Sequence, residues 1–140
     1  MSYLLDTNVV SELRRPRQAD RSVLKWFDSV DQTETFISAI TIAELEEGAA
    51  RAELRGKPHA AALRQWIDEH VLHSYAGRIL PFDEKAAMRF GRMQAPDPRP
   101  YADVAIAAIA IVNGLTVITR NVRHFSPLGV PFFNPWNHPA

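Results

Sequence analysis

The chain has 140 residues, which fits one domain built around a single hydrophobic core. Its 46% hydrophobic content is ordinary for a globular protein, and its 16 acidic and 16 basic side chains exclude wholesale electrostatic attraction to nucleic acid. Cysteine is absent, which excludes disulfides and thiolate metal sites and fits a reducing cytoplasm. No secretory signal is predicted, because the sequence runs straight from Met1 into a strand and an acid. No membrane span is predicted, because the longest apolar run, Val104 to Val112, is far shorter than the roughly 20 residues a bilayer requires.

Short strands and longer helices alternate in the first half of the chain. The predicted elements are a strand over residues 2–5, helices over 7–14 and 19–30, a strand over 35–38 and a helix over 41–54. The strands are apolar or β-branched runs, and the helices carry apolar residues every three or four positions. Pro16 ends the first helix, and Thr41 is the predicted N-cap of the third, with Glu44 in the capping-box position.

The same alternation continues to the C-terminus. The predicted elements are a helix over residues 59–75, a strand over 79–82, helices over 84–94 and 101–113, and strands over 115–119 and 130–134. Asp83 caps the helix that follows it, and the proline-rich residues 95–100 form a loop. The helix over 101–113 is nearly all apolar, so we expect it to be buried, and Gly114 marks its C-terminal end.

This alternation favours a parallel sheet covered by helices on both faces. The predicted fold class is therefore α/β, a three-layer α/β/α sandwich with a mostly parallel central sheet. No change of composition along the chain suggests a second domain, so residues 1–140 are predicted to form one domain.

Acidic residues occur where strands stop and helices begin. Asp6 follows the first strand, Glu44 lies near the start of the third helix, and Asp103 lies at the front of the most apolar helix. Ligands of open α/β sheets collect beyond the carboxyl ends of the strands, so these side chains are expected at one edge. Because clustered carboxylates repel each other, such a group predicts a site for a hard divalent cation.

Each of these residues also has a structural explanation. Asp6 fits a helix N-cap as well as a metal ligand, and Glu44 fits a capping box or a contact with the helix dipole. Asp103 needs a partner beside so buried a helix, and either a metal or Arg120 would provide one. Asn121, after the last core strand, fits either a turn or the same sheet edge. His124 and Asp97 are interpreted as structural or exposed.

Four motifs in order resemble those of the PIN-domain ribonucleases. They are Leu4-Leu5-Asp6-Thr7-Asn8, Ala43-Glu44-Leu45, Ala102-Asp103 with Ile106-Ala107-Ala108, and Thr119-Arg120-Asn121. Within that family the chain is most similar to the toxins of bacterial VapBC toxin–antitoxin pairs, especially the FitB-like branch. Two further segments, Val122-Arg123-His124-Phe125 and Phe133-Asn134-Pro135-Trp136, add to this likeness. The resemblance runs from about Tyr3 to Trp136.

The resemblance implies an endoribonuclease that depends on Mg²⁺ or Mn²⁺. Asp6, Glu44 and Asp103 match the core acids of the family and are the expected metal ligands and catalytic residues. Asn121 stands in the motif where many members carry a fourth acid, so a second metal would be held less strongly or not at all. Four further residues are predicted to position ligands or substrate phosphate: Thr7, Asn8, Thr119 and Arg120.

The resemblance also implies partners. It implies an RNA substrate, a cognate VapB-type antitoxin whose C-terminal segment lies over the site, and contact with operator DNA only through that antitoxin. A homodimer is expected as well, and no membrane is involved. Two alternatives stay open: a non-catalytic RNA-binding or regulatory α/β domain in which the acids are only caps, and a nuclease of the same fold that acts on DNA.

Overall fold

A sheet of five parallel strands runs through the protein in the order β3-β2-β1-β4-β5. The computed structural model describes residues 1–140, and its strands are β1 (Tyr3–Leu5), β2 (Thr35–Ser38), β3 (Ile79–Leu80), β4 (Thr116–Ile118) and β5 (Phe132–Phe133). In the register of the central strand, Leu4 lies opposite Phe36 on one side and Val117 on the other. Because all strands are parallel, their carboxyl ends share one edge, at which Asp6 follows β1.

Helices fill the connections between the strands. They are α1 (Thr7–Glu12), α2 (Arg21–Ser29), α3 (Ala39–Leu54), α4 (Ala60–Gln65), α5 (Leu72–Ser74), α6 (Glu84–Gln94), α7 (Tyr101–Asn113) and α8 (Val122–Phe125). A π-helical stretch, Trp66–Val71, joins α4 to α5 without a break. Short 3₁₀ turns occupy Gln32–Glu34, Ser126–Leu128 and Pro135–Asn137. None of the helices combines the length and apolar character needed to cross a lipid bilayer.

The two faces of the sheet are both buried, as the alternation of side chains along β1 shows. Leu5 packs with Ile37, Val9 and Trp26 in one apolar cluster, under α1, α2, α3 and the π-helical stretch. Leu4 packs with Val117 in a second cluster, under α6 and α7. Since neighbouring residues of a strand point to opposite faces, this division confirms the predicted three-layer α/β/α sandwich.

Helix α7 behaves as its composition predicts. Residues 104–110 are all buried, and Gly114 ends the helix in a left-handed conformation with φ of 68°. A residue with a side chain is strained in that conformation, which explains the glycine. The helix packs mainly on α6, and its first turn carries Asp103 toward the edge of the sheet where β1 and β4 end.

The start of α3 differs from the prediction. The N-cap is Ser38 rather than Thr41: the Ser38 hydroxyl accepts the Thr41 backbone N–H at 3.1 Å, and the helix begins at Ala39. Glu44 therefore lies beyond the first turn, which contains no acid. The capping-box and helix-dipole explanations of Glu44 are wrong, because both need a first-turn position. Its carboxylate must be explained by what it faces instead.

Candidate active site

Asp6 lies at the carboxyl end of β1 with its side chain almost completely buried. The residue is 4% exposed. Its Oδ1 accepts the Thr7 backbone N–H at 2.8 Å, and its Oδ2 accepts the Thr119 hydroxyl at 2.7 Å. The Asn8 amide donates to the same Oδ2 at a longer 3.4 Å. Asp6 is thus the N-cap of α1, as one of the two sequence interpretations had it, and it is also tied to β4 through Thr119.

The environment of Asp6 is unfavourable for a negative charge. Burial raises the pKa of Asp6 from 3.8 to about 6, although the hydrogen bonds from Thr119 and Thr7 act in the opposite direction. The nearby negative charges of Asp103 and Glu44 contribute to the same rise. Both acids therefore lie near enough to Asp6 for their charges to act on its carboxylate.

Glu44 reaches Asp6 through the first residue of α1. The Thr7 hydroxyl lies 2.5 Å from Glu44 Oε1 and 3.0 Å from the Thr41 hydroxyl oxygen. A hydroxyl has one proton to donate, and a carboxylate can only accept, so Thr7 donates to Glu44 and accepts from Thr41. Glu44 Oε2 accepts no hydrogen bond from the protein. One oxygen of this carboxylate is therefore fixed while the other is free to act.

Asp103 is held from the opposite side of the site by a residue that the sequence interpretation set aside. His124 Nδ1 lies 2.7 Å from Asp103 Oδ2, and the Asp103 side chain is 17% exposed. The histidine comes from α8, the short helix after β4, which no periodic pattern predicted. His124 was expected to be structural or exposed, and its side chain is half exposed; the sequence did not indicate that it pairs with a candidate ligand.

Arg120 is not the partner of Asp103. It makes no ion pair with any acid, and its guanidinium lies 4.9 Å from the centre of the Trp136 ring, a cation–π contact. Its backbone N–H donates to Asn8 Oδ1 at 3.3 Å. Asn121 is exposed, and its backbone N–H donates to the Thr119 hydroxyl at 2.9 Å. Asp97 lies in the exposed loop and pairs with Arg99 at 2.9 Å.

The donor set suits a hard cation. No lysine or arginine forms an ion pair with Asp6, Glu44 or Asp103, and the one basic partner among the three acids is His124, which pairs with Asp103. No three acid or histidine side chains meet closely enough to ligate one ion together. Carboxylate oxygens are ligands that Mg²⁺ prefers, and because Mg²⁺ keeps several of its waters, two carboxylates would suffice to hold it.

A cavity with apolar walls lies elsewhere. It has a volume of about 530 Å³ and is bounded by α1, α2 and the π-helical stretch. Its apolar lining includes Leu13, Leu24, Phe27 and Trp66. The acids do not line it, so this cavity is not the place of the chemistry.

Comparison with known proteins agrees with this arrangement. Residues 3–128 match the model of the PIN domain. The chain belongs to the PIN-domain family. It is 40% identical over 139 residues to the protein named Toxin FitB of Neisseria gonorrhoeae, covering 96% of this chain and 98% of that protein. It is 38% identical over 138 residues to the VapC ribonuclease Y4jK of Sinorhizobium fredii, covering 95% of this chain and 96% of that protein.

The same likeness is present in a solved three-dimensional structure. The solved structure of FitAB bound to the IR36 DNA fragment contains a chain that is 36% identical, with a TM-score of 0.84, covering 99% of this chain and 98% of that one. The resemblance predicted from four short motifs is confirmed, including the likeness to FitB and to VapC ribonucleases.

Sequence reasoning missed three side chains that lie against predicted site residues. His124, Thr41 and Trp136 each contact a predicted site residue, yet only the tertiary structure shows it. One signal was available for His124: it follows β4 by a few residues, as Asn121 does, so it had to lie near the same edge.

Proposed function

We propose that this chain is a Mg²⁺- or Mn²⁺-dependent endoribonuclease and the toxin of a VapBC-type toxin–antitoxin pair, built as one PIN domain over residues 1–140. The observation that supports it best is that Asp103 and Glu44 lie within electrostatic reach of Asp6 while no lysine or arginine pairs with any of the three. A fold does not keep like-charged carboxylates together for stability, because their repulsion raises the free energy of the folded state. A cation that binds between them removes this cost.

In this proposal Asp6 and Asp103 hold the ion, and Glu44 reaches it directly or through water. Asp6 is fixed by Thr7 and Thr119, and Asp103 by His124, so neither carboxylate has to be ordered when the ion binds. The bound ion supplies Lewis-acid stabilisation of the phosphate and lowers the pKa of water. Because Asn121 stands where many members of the family carry a fourth acid, the site has only three acids, which favours a single ion.

Glu44 is the candidate proton acceptor. Thr7 fixes its Oε1, which leaves Oε2 to accept the proton of the water that attacks the phosphodiester. The water adds to phosphorus and the 3′-oxygen leaves, so the products are a 5′-phosphate and a 3′-hydroxyl. Arg120 is exposed beside the site and remains the candidate for contact with substrate phosphate, and Thr7, Asn8 and Thr119 act by positioning the acids.

The test is cleavage of a labelled RNA pool in Mg²⁺. Asp6→Asn and Asp103→Asn are expected to abolish cleavage while circular dichroism shows the fold retained. Asp97→Asn is the matched control, since it removes an exposed acid in the loop before α7. Cleavage at the normal rate by both site variants would exclude the proposed site. The same assay separates the alternatives: no cleavage by the wild type supports a binding domain, and preference for DNA supports a DNA-directed nuclease.

We propose further that a VapB-type antitoxin binds this toxin and carries any contact with operator DNA, as the FitAB assembly bound to DNA suggests. The cavity beneath α2 offers apolar surface for its C-terminal segment. Trp66 lines this cavity, whereas Leu45 is buried in the core and Leu54 is exposed outside it. Leu24→Asp should therefore weaken antitoxin binding, and Leu54→Asp should not, when each variant is co-purified with the tagged partner.

The homodimer and the cytoplasmic location stay predictions. Light scattering after size exclusion, on the toxin alone and with its antitoxin, measures the first, and cell fractionation measures the second.

A further inference from the structure

The segment Thr119–His124 contacts two of the acids at once. It connects β4 to α8 and so crosses the edge of the sheet at the site. At its beginning the Thr119 hydroxyl donates to Asp6 Oδ2 at 2.7 Å. At its end His124 Nδ1 lies 2.7 Å from Asp103 Oδ2. Asp6 and Asp103 are far apart in the sequence and come from different elements, and this segment joins them.

The segment is itself held in one shape by two hydrogen bonds. The Asn121 backbone N–H donates to the Thr119 hydroxyl at 2.9 Å, and the His124 backbone N–H donates to the Asn121 carbonyl oxygen at 2.9 Å. Phe125, which follows His124, is fully buried in the cluster under α7. The histidine backbone is therefore anchored on both sides, so its ring can move relative to Asp103 only by rotation of its own side chain.

The direction of the His124 hydrogen bond follows from the chemistry of its partner. An ionised carboxylate only accepts, so the histidine donates from Nδ1. This contact occupies Asp103 Oδ2 and leaves Oδ1 without a hydrogen bond from the protein. A hydrogen-bond donor at this position orients the carboxylate and adds no negative charge to the site. A fourth acid would add negative charge.

We infer that His124 is a positioning residue for metal binding: by donating from Nδ1 it holds the Asp103 carboxylate in one orientation, in which it shares a single divalent ion with Asp6. The inference rests on the proposed function, because it assigns Asp6 and Asp103 as the direct ligands. Groups that orient ligating carboxylates from behind typically change metal affinity about 10–100-fold when removed. His124 acts through Asp103 and is not itself assigned as a ligand.

Three variants test the role of the Nδ1 donor with Mn²⁺ alone as the probe. His124→Ala removes it, His124→Asn places an amide nitrogen close to the position of Nδ1, and His73→Ala removes an exposed histidine of α5 as a control. Calorimetry on the full chain without RNA should show Mn²⁺ affinity about tenfold weaker in His124→Ala, within about threefold of wild type in His124→Asn, and unchanged in His73→Ala. Melting temperatures in EDTA report whether each variant folds.

A second measurement separates positioning from a structural role. Because the defect lies in holding the ion, RNA cleavage by His124→Ala should recover as Mn²⁺ is raised, with the KM for RNA unchanged. The inference is overturned if His124→Ala binds Mn²⁺ like the wild type, or if His124→Asn is as weak as His124→Ala. Those results would leave the proposed function intact. The proposed function fails separately if the wild type shows no metal-dependent cleavage.

Discussion

Replacing Asp6 by asparagine should stabilise the metal-free protein at neutral pH while it abolishes activity. Asp6 has a pKa of about 6 in the folded protein and 3.8 as its ordinary value. Between these two values the folded state keeps a proton that the unfolded chain has released. The free energy of unfolding therefore falls as the pH rises from about 4 through 6. The stabilisation that the bound proton provides is fully present only below this range.

The size of the effect follows from the same two values. A difference between 3.8 and about 6 corresponds to about 3 kcal/mol, and Asp6 is buried, so solvent does not screen it away. Asparagine is neutral at every pH, so Asp6→Asn removes the pH-dependent part of this cost. The stability of the variant relative to wild type should rise by up to about 3 kcal/mol from pH 4 to pH 7.5.

Urea unfolding in EDTA, followed by tryptophan fluorescence at several pH values, measures this difference. The comparison across pH cancels any fixed cost of placing an amide beside Thr7 and Thr119. Asp28→Asn serves as the control, because it makes the same chemical change at an acid that is exposed on α2. A flat difference for Asp6→Asn, or one that falls as the pH rises, would refute the claim that burial and neighbouring carboxylates disfavour the charge on Asp6.

Three further predictions concern the same edge of the sheet. Mg²⁺ should raise the melting temperature of the wild type more at pH 8 than at pH 5, since below a pKa of about 6 protons compete for Asp6; equal shifts in scanning fluorimetry would contradict this. Thr119→Val removes the hydroxyl that donates to Asp6 and accepts from the Asn121 backbone N–H. Urea unfolding of this variant should show a free energy of unfolding lower by about 1–3 kcal/mol, whereas Thr119→Ser should keep most of the stability. Asn121→Asp adds a carboxylate near the site and should tighten Mn²⁺ binding in calorimetry; unchanged affinity would remove Asn121 from the metal environment.

Much of the fold is predictable because its central elements have unambiguous local signals. Strand β2 and helix α7 match their predicted bounds, since β-branched residues define the first, and Pro100 and Gly114 flank the second. The remaining strands are shorter than predicted by one to three residues because pairing, rather than composition, decides where a strand ends. Nothing local distinguishes the π-helical stretch over Trp66–Val71 from the α-helix around it.

The site divides in the same way. Asp6, Glu44 and Asp103 were predictable because each falls at a recognisable position relative to a strand or helix. The groups that hold them were not, since the His124–Asp103 contact joins residues 21 positions apart and depends on how α8 packs. Helix α8 has only four residues, too few to show a period. The predicted N-cap of α3, Thr41, and the observed one, Ser38, are likewise only one helical turn apart, so local sequence does not distinguish them.

The outer strands of the sheet, β3 and β5, have two residues each. An edge strand this short exposes few unpaired backbone groups, so another polypeptide finds almost nothing to extend by hydrogen bonding. Copies of the molecule therefore have little edge through which to join their sheets into a continuous one. We expect the assemblies of this toxin to form through the outer surfaces of its helices and loops.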